Sequence, residues 1–224
     1  MPNGLVSHQA PGLLLKIKYP RNFDGTALCI GSLVPDLNII VDYFLPFSFR
    51  NITHSLLGQL IYTIPLTLIL TILFCSYISP LVARIAKKKS RIYSPLRFFG
   101  LDGWDNLSSK KFNSKFFLVA TYSALIGGLT HIIIDLPAHG VNPLFFPLIM
   151  QNPDFLLYSF VDFGPIFIGP IRIDRNLTVY QLIWFVEDTI MLIISLYLLR
   201  YIKKRNLISK WYNESIPENK EHVV

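Results

Sequence analysis

Charge is scarce in this chain. Only 16% of its 224 residues are Asp, Glu, Lys or Arg, while 52% are hydrophobic. Soluble domains carry about 25% charged residues, so this balance excludes the ordinary soluble class. The mean hydropathy of +0.44 points to an integral membrane protein. Cysteine is nearly absent. Cys29 and Cys75 lie far apart with no metal-ligand spacing, so they leave the redox compartment open, and Cys75 reads as a small membrane hydrophobe. The opening residues show no basic n-region, apolar h-region and cleavage site in succession, so the first span is expected to act as its own insertion signal. No internal repeat, low-complexity tract or nucleic-acid motif is present. A nucleic-acid partner is not expected, and the length suits one compact bundle.

The basic residues are unevenly placed. Nine of the 21 Lys and Arg fall between Arg84 and Lys115, and six more lie from Arg200 onward. Beside hydrophobic spans, such clusters mark cytoplasmic flanks. Three stretches are long enough to cross a hydrocarbon core, which needs about 20 residues. They are 56–82, where Pro65 and Pro80 are expected to kink the helix, 116–136, where Gly127 and Gly128 permit close packing, and 179–202. The basic loop and tail then orient them inward, outward and inward.

The 137–178 connection is apolar but interrupted by Pro147, Pro153, Gly164 and Pro165, which fits a re-entrant or interfacial segment. Residues 26–47 are either a polar-lined span or two short helices folded onto the outer face. The expected fold is therefore an all-α polytopic helix bundle with at least three spans, short N-terminal helices and one re-entrant or interfacial segment. Residues 1–204 form a single membrane-embedded domain and 205–224 a polar cytoplasmic tail. The expected location is the cell membrane, multi-pass, with the lipid bilayer as partner.

Against this background, "GGLTHIIIDLPAHGVNP" is anomalous. His131, Asp135 and His139 recur every four positions in apolar sequence, and intramembrane ionisable groups face a partner, a cavity or an ion. His131 and Asp135 share one helix face about 6 Å apart along the axis, a spacing that lets an imidazole and a carboxylate hold one divalent ion. Pro137 ends or bends the helix and lets His139 turn back. His54 opens the 56–82 helix at the same outer face. Asp36, after Pro35, offers an oxygen ligand, and His8 a fourth imidazole. Each signal has a plain structural reading too: helix capping for His54 and Asp36, an interhelical hydrogen bond for the His131–Asp135 pair, a surface loop for His139. Glu187 and Asp188 in the last span either pair with another helix or support the site.

"THSLLG" at 53–58 and "GGLTHIIIDLPAHGVNPLFFP" at 127–147 resemble small prokaryotic membrane-bound metal-dependent hydrolases. "SHQAPGLLL", "GSLVPDLN" and "DLPAH" are closer to an uncharacterised sister family that opens with Ser-His-Pro-Ala. The resemblance covers roughly residues 5–150, and Asn38 stands where the hydrolases have a second Asp. More distantly, the order of His and Asp residues is similar to that of zinc-dependent phospholipase C. The resemblance implies His8, Asp36, His54, His131, Asp135 and His139 as metal ligands.

The expected function is a metal-dependent hydrolase, its site at the outer membrane face, acting on a lipid or lipid-linked phosphoester. The expected cofactor is a divalent metal, with zinc best suited to mixed N/O ligands and manganese or iron as alternatives. Asp36 or Asp42 is the expected proton acceptor. The competing reading is a non-catalytic subunit or scaffold whose His/Asp cluster is structural. A transporter is disfavoured by the few spans and the lack of repeats. His8 poses a topological problem, because Lys16, Lys18 and Arg21 follow it and read as cytoplasmic. If 26–47 spans, His8 lies on the wrong side; if the N-terminal region folds over the outer face, it joins the site.

Overall fold

The computed structural model describes residues 4–44, 49–138, 141–168 and 171–212. Three helices in it are long and apolar enough to cross a membrane: Leu56–Ala86, Ser114–Asp135 and Val179–Lys204. They pack with a short N-terminal helical hairpin. Its limbs are α1 (Gln9–Lys18) and α2 (Gly25–Gly31), and the long helices are α3 (Leu56–Ala86), α4 (Ser114–Asp135) and α5 (Val179–Lys204). A last helix, α6 (Leu207–Tyr212), folds back beneath the bundle against a 3-10 stretch at Leu101–Ser109.

The long helices are amphipathic in the sense a bilayer requires. Along α3 the buried face reads Gln59, Thr63, Thr67, Thr71, Cys75, Ser79, Ala83, a row of small or polar residues repeating every four positions. Leu60, Ile61, Ile69, Tyr77 and Leu81 are exposed. In water this pattern would be inverted. In lipid, small residues mediate helix contact while large apolar ones face the acyl chains. The prolines do bear on α3, though through its hydrogen bonding: π-type turns at Gln59–Thr63 and Phe74–Ile78 lie directly upstream of Pro65 and Pro80. A proline leaves an upstream carbonyl without its N–H partner, and a widened turn is one way to accommodate the loss.

The N-terminal hairpin dips into the bundle and returns. From His8, α1 runs along α5: the Ser195 hydroxyl donates to the Ser7 carbonyl at 3.2 Å. Leu13 packs with Leu198 and Ile202. The Lys16 ammonium lies 5.1 Å from the Trp211 ring centroid. The turn at 19–24 thus sits at the end of the bundle that carries the 87–111 loop and the basic tail. There Lys110 pairs with Asp24 at 2.8 Å. Then α2 climbs back beside α4, with Asp24 capping its start by accepting from Ala27 N.

This ascent is close. A Cβ on Gly31 would sit 2.6 Å from the Ala124 carbonyl oxygen, and one on Gly127 would overlap the Leu28 carbonyl. The expected role of Gly127 in close packing is therefore met by α2 as its partner. A 3-10 turn, Val34–Leu37, follows and carries Asp36. Both ends of the hairpin, His8 and Asp36, arrive at the end of α4. Of residues 26–47, the described part forms short helices, Gly25–Gly31, Val34–Leu37 and Asn38–Asp42, and no helix long enough to span.

The 137–178 connection also differs from an all-α expectation. It forms two antiparallel hairpins, β1 (Val141–Phe145) with β2 (Leu148–Gln151), and β3 (Ser159–Ile168) with β4 (Ile171–Thr178). The fold is mostly helical with small sheets. Pro143, Pro147, Pro153 and Pro165 keep the segment from forming a long helix; hairpins satisfy most of its backbone groups, with one helical turn, Asp154–Leu157, between them. The hairpins sit beyond the end of α4 and present Phe145, Leu148, Phe160 and Phe163 outward. Thr178 then starts α5 with a capping box to Gln181.

Candidate metal centre

Four elements deliver the site. His131 and Asp135 come from the last turns of α4, one turn apart on its buried face. His54 follows the short helix Arg50–Thr53, just before Ser55 caps α3 by accepting from Gly58 N. Asp36 comes from the 3-10 turn after α2, and His8 from the break before α1. One donor atom from each of Asp36, His54, His131 and Asp135 lies within 4.8 Å of all the others.

The separations are informative. His54 Nε2 and His131 Nε2 are 3.3 Å apart. Asp36 Oδ1 lies 3.6 Å from the first and 3.5 Å from the second. Asp135 Oδ2 is 3.6 Å from each. These gaps are long for hydrogen bonds, whose N–H···O distances are about 2.7–3.2 Å, and only the His54–His131 contact comes near that range. A tetrahedral ion with ligand bonds of about 2.0–2.2 Å has edges of about 3.3–3.6 Å. The five separations match edges of such a shell, so the four groups could hold one ion between them.

Burial raises the stakes. His131 and His54 are almost wholly inaccessible and Asp135 is buried. Two carboxylates and two imidazoles this close concentrate negative charge at a largely buried site, where a cation held between them would be stabilised. Burial favours the neutral form of Asp36, but the facing imidazoles of His131 and His54 outweigh it and hold its carboxyl well below the usual carboxylate range. Asp36 is therefore an anionic donor at neutral pH.

Neighbours fix the rings. The Thr53 hydroxyl lies 2.9 Å from His54 Nδ1, leaving Nε2 to face the centre. His8 Nδ1 lies 2.6 Å from His131 Nδ1, a buried contact in which one imidazole donates and the other accepts. His8 Nε2 stands 3.7 Å from Asp135 Oδ1, the oxygen turned away from the centre. His8 is hence brought to the cluster but supports His131 and Asp135, outside the group of four donors. Such outer contacts set the tautomer and basicity of a metal-binding histidine.

Of the other expected residues, Asp42 does not reach the cluster. Its carboxylate accepts from Asn38 Nδ2 at 2.7 Å and from Phe49 N, which ties the chain after α2 to the approach to α3. His139 lies outside the described residues. One residue escaped the sequence reading: Arg50, half-buried, with Nη2 3.8 Å from Asp135 Oδ2. It borders a small cleft with His54, Asp135 and Asn142. Its signal was faint, because a single arginine in "FRNITHS" reads as an ordinary flank of a span.

Residues 1–150 match the family described as a domain of unknown function (DUF4184), which takes in all of the described site. The chain belongs to that family. No curated protein and no solved structure matches it.

Proposed function

We propose that the chain is a multi-pass membrane hydrolase of the cell membrane that uses one divalent ion held by Asp36, His54, His131 and Asp135. The observation that carries this reading is the set of five donor separations between 3.3 and 3.6 Å, each fitting an edge of a tetrahedral shell. Mixed imidazole and carboxylate donors suit zinc, with manganese or ferrous iron as alternatives. Such an ion supplies a hydroxide nucleophile at neutral pH and polarises an ester oxygen.

The chain's own groups divide the remaining work. Asp36 is the most accessible of the four, its side chain 22% exposed. It sits on a 3-10 turn, not a long helix, so it is the carboxylate placed to accept a proton. Asp42 is occupied elsewhere. Arg50, at the mouth of the cleft, offers a planar guanidinium suited to a phosphate oxygen pair. A phosphoester borne by a lipid or lipid-linked molecule fits a site at the end of membrane helices. By the basic-residue rule that end would face away from the cytoplasm, which supports an outer-face site.

Four protein donors also favour a second reading, since structural zinc sites are closed while catalytic ones keep a position open. On that reading the ion staples α2, α3 and α4 in a non-catalytic membrane subunit. Elemental analysis of purified protein and His131→Ala, with chelator exchange and hydrolysis of a chromogenic phosphodiester, separates the cases. The hydrolase reading expects about one exchangeable ion per chain, lost in the variant together with turnover. An ion that resists exchange in a chain inert towards phosphoesters supports the staple. Metal-free wild-type protein overturns both.

A further inference from the structure

A cavity of about 290 Å³ lies inside the bundle between the N-terminal hairpin, α5, α6 and the 101–109 stretch. Its wall is almost entirely apolar. At one end are Val6 and Leu33, two residues before His8 and three before Asp36 respectively. At the other are Trp104, Trp211 and Tyr212, beside the basic end. From Gly25 to Leu33 the cavity follows α2 and the turn after it, over about 12 Å at a rise near 1.5 Å per residue. An apolar space whose lining begins two and three residues from His8 and Asp36 and runs to the basic end suits an alkyl chain joined to a headgroup at the centre.

We infer that this cavity seats one acyl or prenyl chain of a lipid whose phosphoester lies at the Asp36–His54–His131–Asp135 centre. The inference rests on the hydrolase reading for the headgroup and extends it to the substrate's tail. Continuity decides the occupant: the hairpin that lines the cavity is the same element that delivers His8 and Asp36. The chain's own C-terminal residues 213–224, "NESIPENKEHVV", are mostly polar or charged and do not suit the wall. The bilayer is as apolar as the cavity, so chain entry gains packing contacts and not desolvation. Affinity then comes from the headgroup, and the cavity selects by length and branching.

The test uses full-length protein in lipid nanodiscs and a phosphatidic acid carrying a diazirine near the end of one chain. Photolabelling is expected on peptides spanning Cys29–Leu33 and Leu199–Trp211. Filling the cavity with Ile30→Trp, or independently Leu199→Trp, is expected to cut that labelling about tenfold while metal content stays at the wild-type level. A third measurement covers the case in which both tryptophans disturb folding. In the wild-type protein an excess of unlabelled phosphatidic acid with chains of the same length should abolish the labelling, whereas dihexanoyl phosphatidic acid, whose chains are too short to fill the cavity, should not.

Labelling confined to outward residues such as Leu60 and Ile69, and unaffected by either tryptophan or by the long-chain competitor, overturns the inference. So does a severalfold rise in labelling on truncation after Tyr212, which would make the tail the occupant. Zinc-loaded protein without cavity labelling removes the chain site and keeps the hydrolase. Cavity labelling in metal-free protein does the reverse.

Discussion

His8 and His131, 123 positions apart in sequence, face each other through their Nδ1 atoms at 2.6 Å. Only one proton fits between two ring nitrogens at that distance, so the contact couples the two tautomers. With His131 Nε2 turned to the centre, its Nδ1 is the atom left to make the contact. His8→Ala is therefore expected to weaken metal binding by about 10- to 100-fold without abolishing it, whereas His131→Ala removes a donor outright. Competitive titration against a chelator of known affinity distinguishes the two, and equal losses would make His8 a ligand in its own right.

The Lys110–Asp24 pair at the opposite end, 2.8 Å apart, is a second buried electrostatic contact. Lys110 also donates to Thr26 Oγ1, and Asp24 caps α2. Lys110→Met leaves Asp24 charged and unpaired, at an expected cost of about 3–5 kcal/mol. Adding Asp24→Asn, which keeps the cap acceptor, should recover most of it. Thermal or denaturant unfolding of the two singles and the double closes the cycle. A double mutant as unstable as Lys110→Met alone would rule out the charge explanation.

Lys16, beside the same pair, gives an alkaline signature. Burial pulls its pKa down to about 8, against the opposing pull of Asp24. A folded pKa below the unfolded value means that the unfolded chain holds the extra proton between about pH 8 and pH 10.4. Stability should accordingly rise with pH across that window, by about 1.4 kcal/mol per pH unit at most. In Lys16→Met the rise should vanish. Unfolding curves at pH 7.5, 8.5 and 9.5 provide the comparison, and a wild-type curve that falls over this range contradicts the assignment.

Much of the site was visible in the sequence because its information is local. His131 and Asp135 announce themselves by a four-residue spacing in an apolar run, and the basic loops orient their helix. The hairpin that carries His8 and Asp36 left no such trace. Its limbs, ten and seven residues long, are too short for a convincing periodicity, and Lys16, Lys18 and Arg21 suggested a boundary where the chain merely touches the basic end and returns. The β-hairpins were obscured for a related reason. Residues 141–168 are apolar enough to imitate a membrane segment, and prolines say what such a stretch cannot form without saying what it does form. Asp42 was misjudged because its true partners, Asn38 and Phe49 N, depend on how the chain bends after α2.

Gly127 tests whether the helix contact positions the chemistry. Its Cα faces the Leu28 carbonyl, so any side chain there must push α2 away from α4. Gly127→Val is expected to cost about 1–3 kcal/mol through overpacking and to lower metal affinity, because Asp36 rides on the displaced α2 while His131 stays on α4. Ala at the exposed position Ile133 on the same helix should do neither. Loss of stability with undiminished metal binding would show that the site tolerates movement of the hairpin.

Arg50 offers the sharpest separation of phosphate recognition from metal binding. Its guanidinium, 3.8 Å from Asp135 Oδ2, is too far for a direct hydrogen bond, so Asp135 does not depend on it for position. Burial lowers the Arg50 pKa while Asp135, Asp36 and Asp42 oppose that trend, and arginine nonetheless stays charged at any physiological pH. Arg50→Lys keeps a positive charge but loses the planar fork that matches two phosphate oxygens. The expected outcome is unchanged metal content, a KM for a phosphodiester raised about tenfold, equivalent to roughly 1.4 kcal/mol, and a smaller effect on a carboxylic ester, which lacks the second oxygen. A variant that loses its metal instead would place Arg50 in the framework of the centre, and an equal effect on both ester types would remove phosphate as the group it recognises.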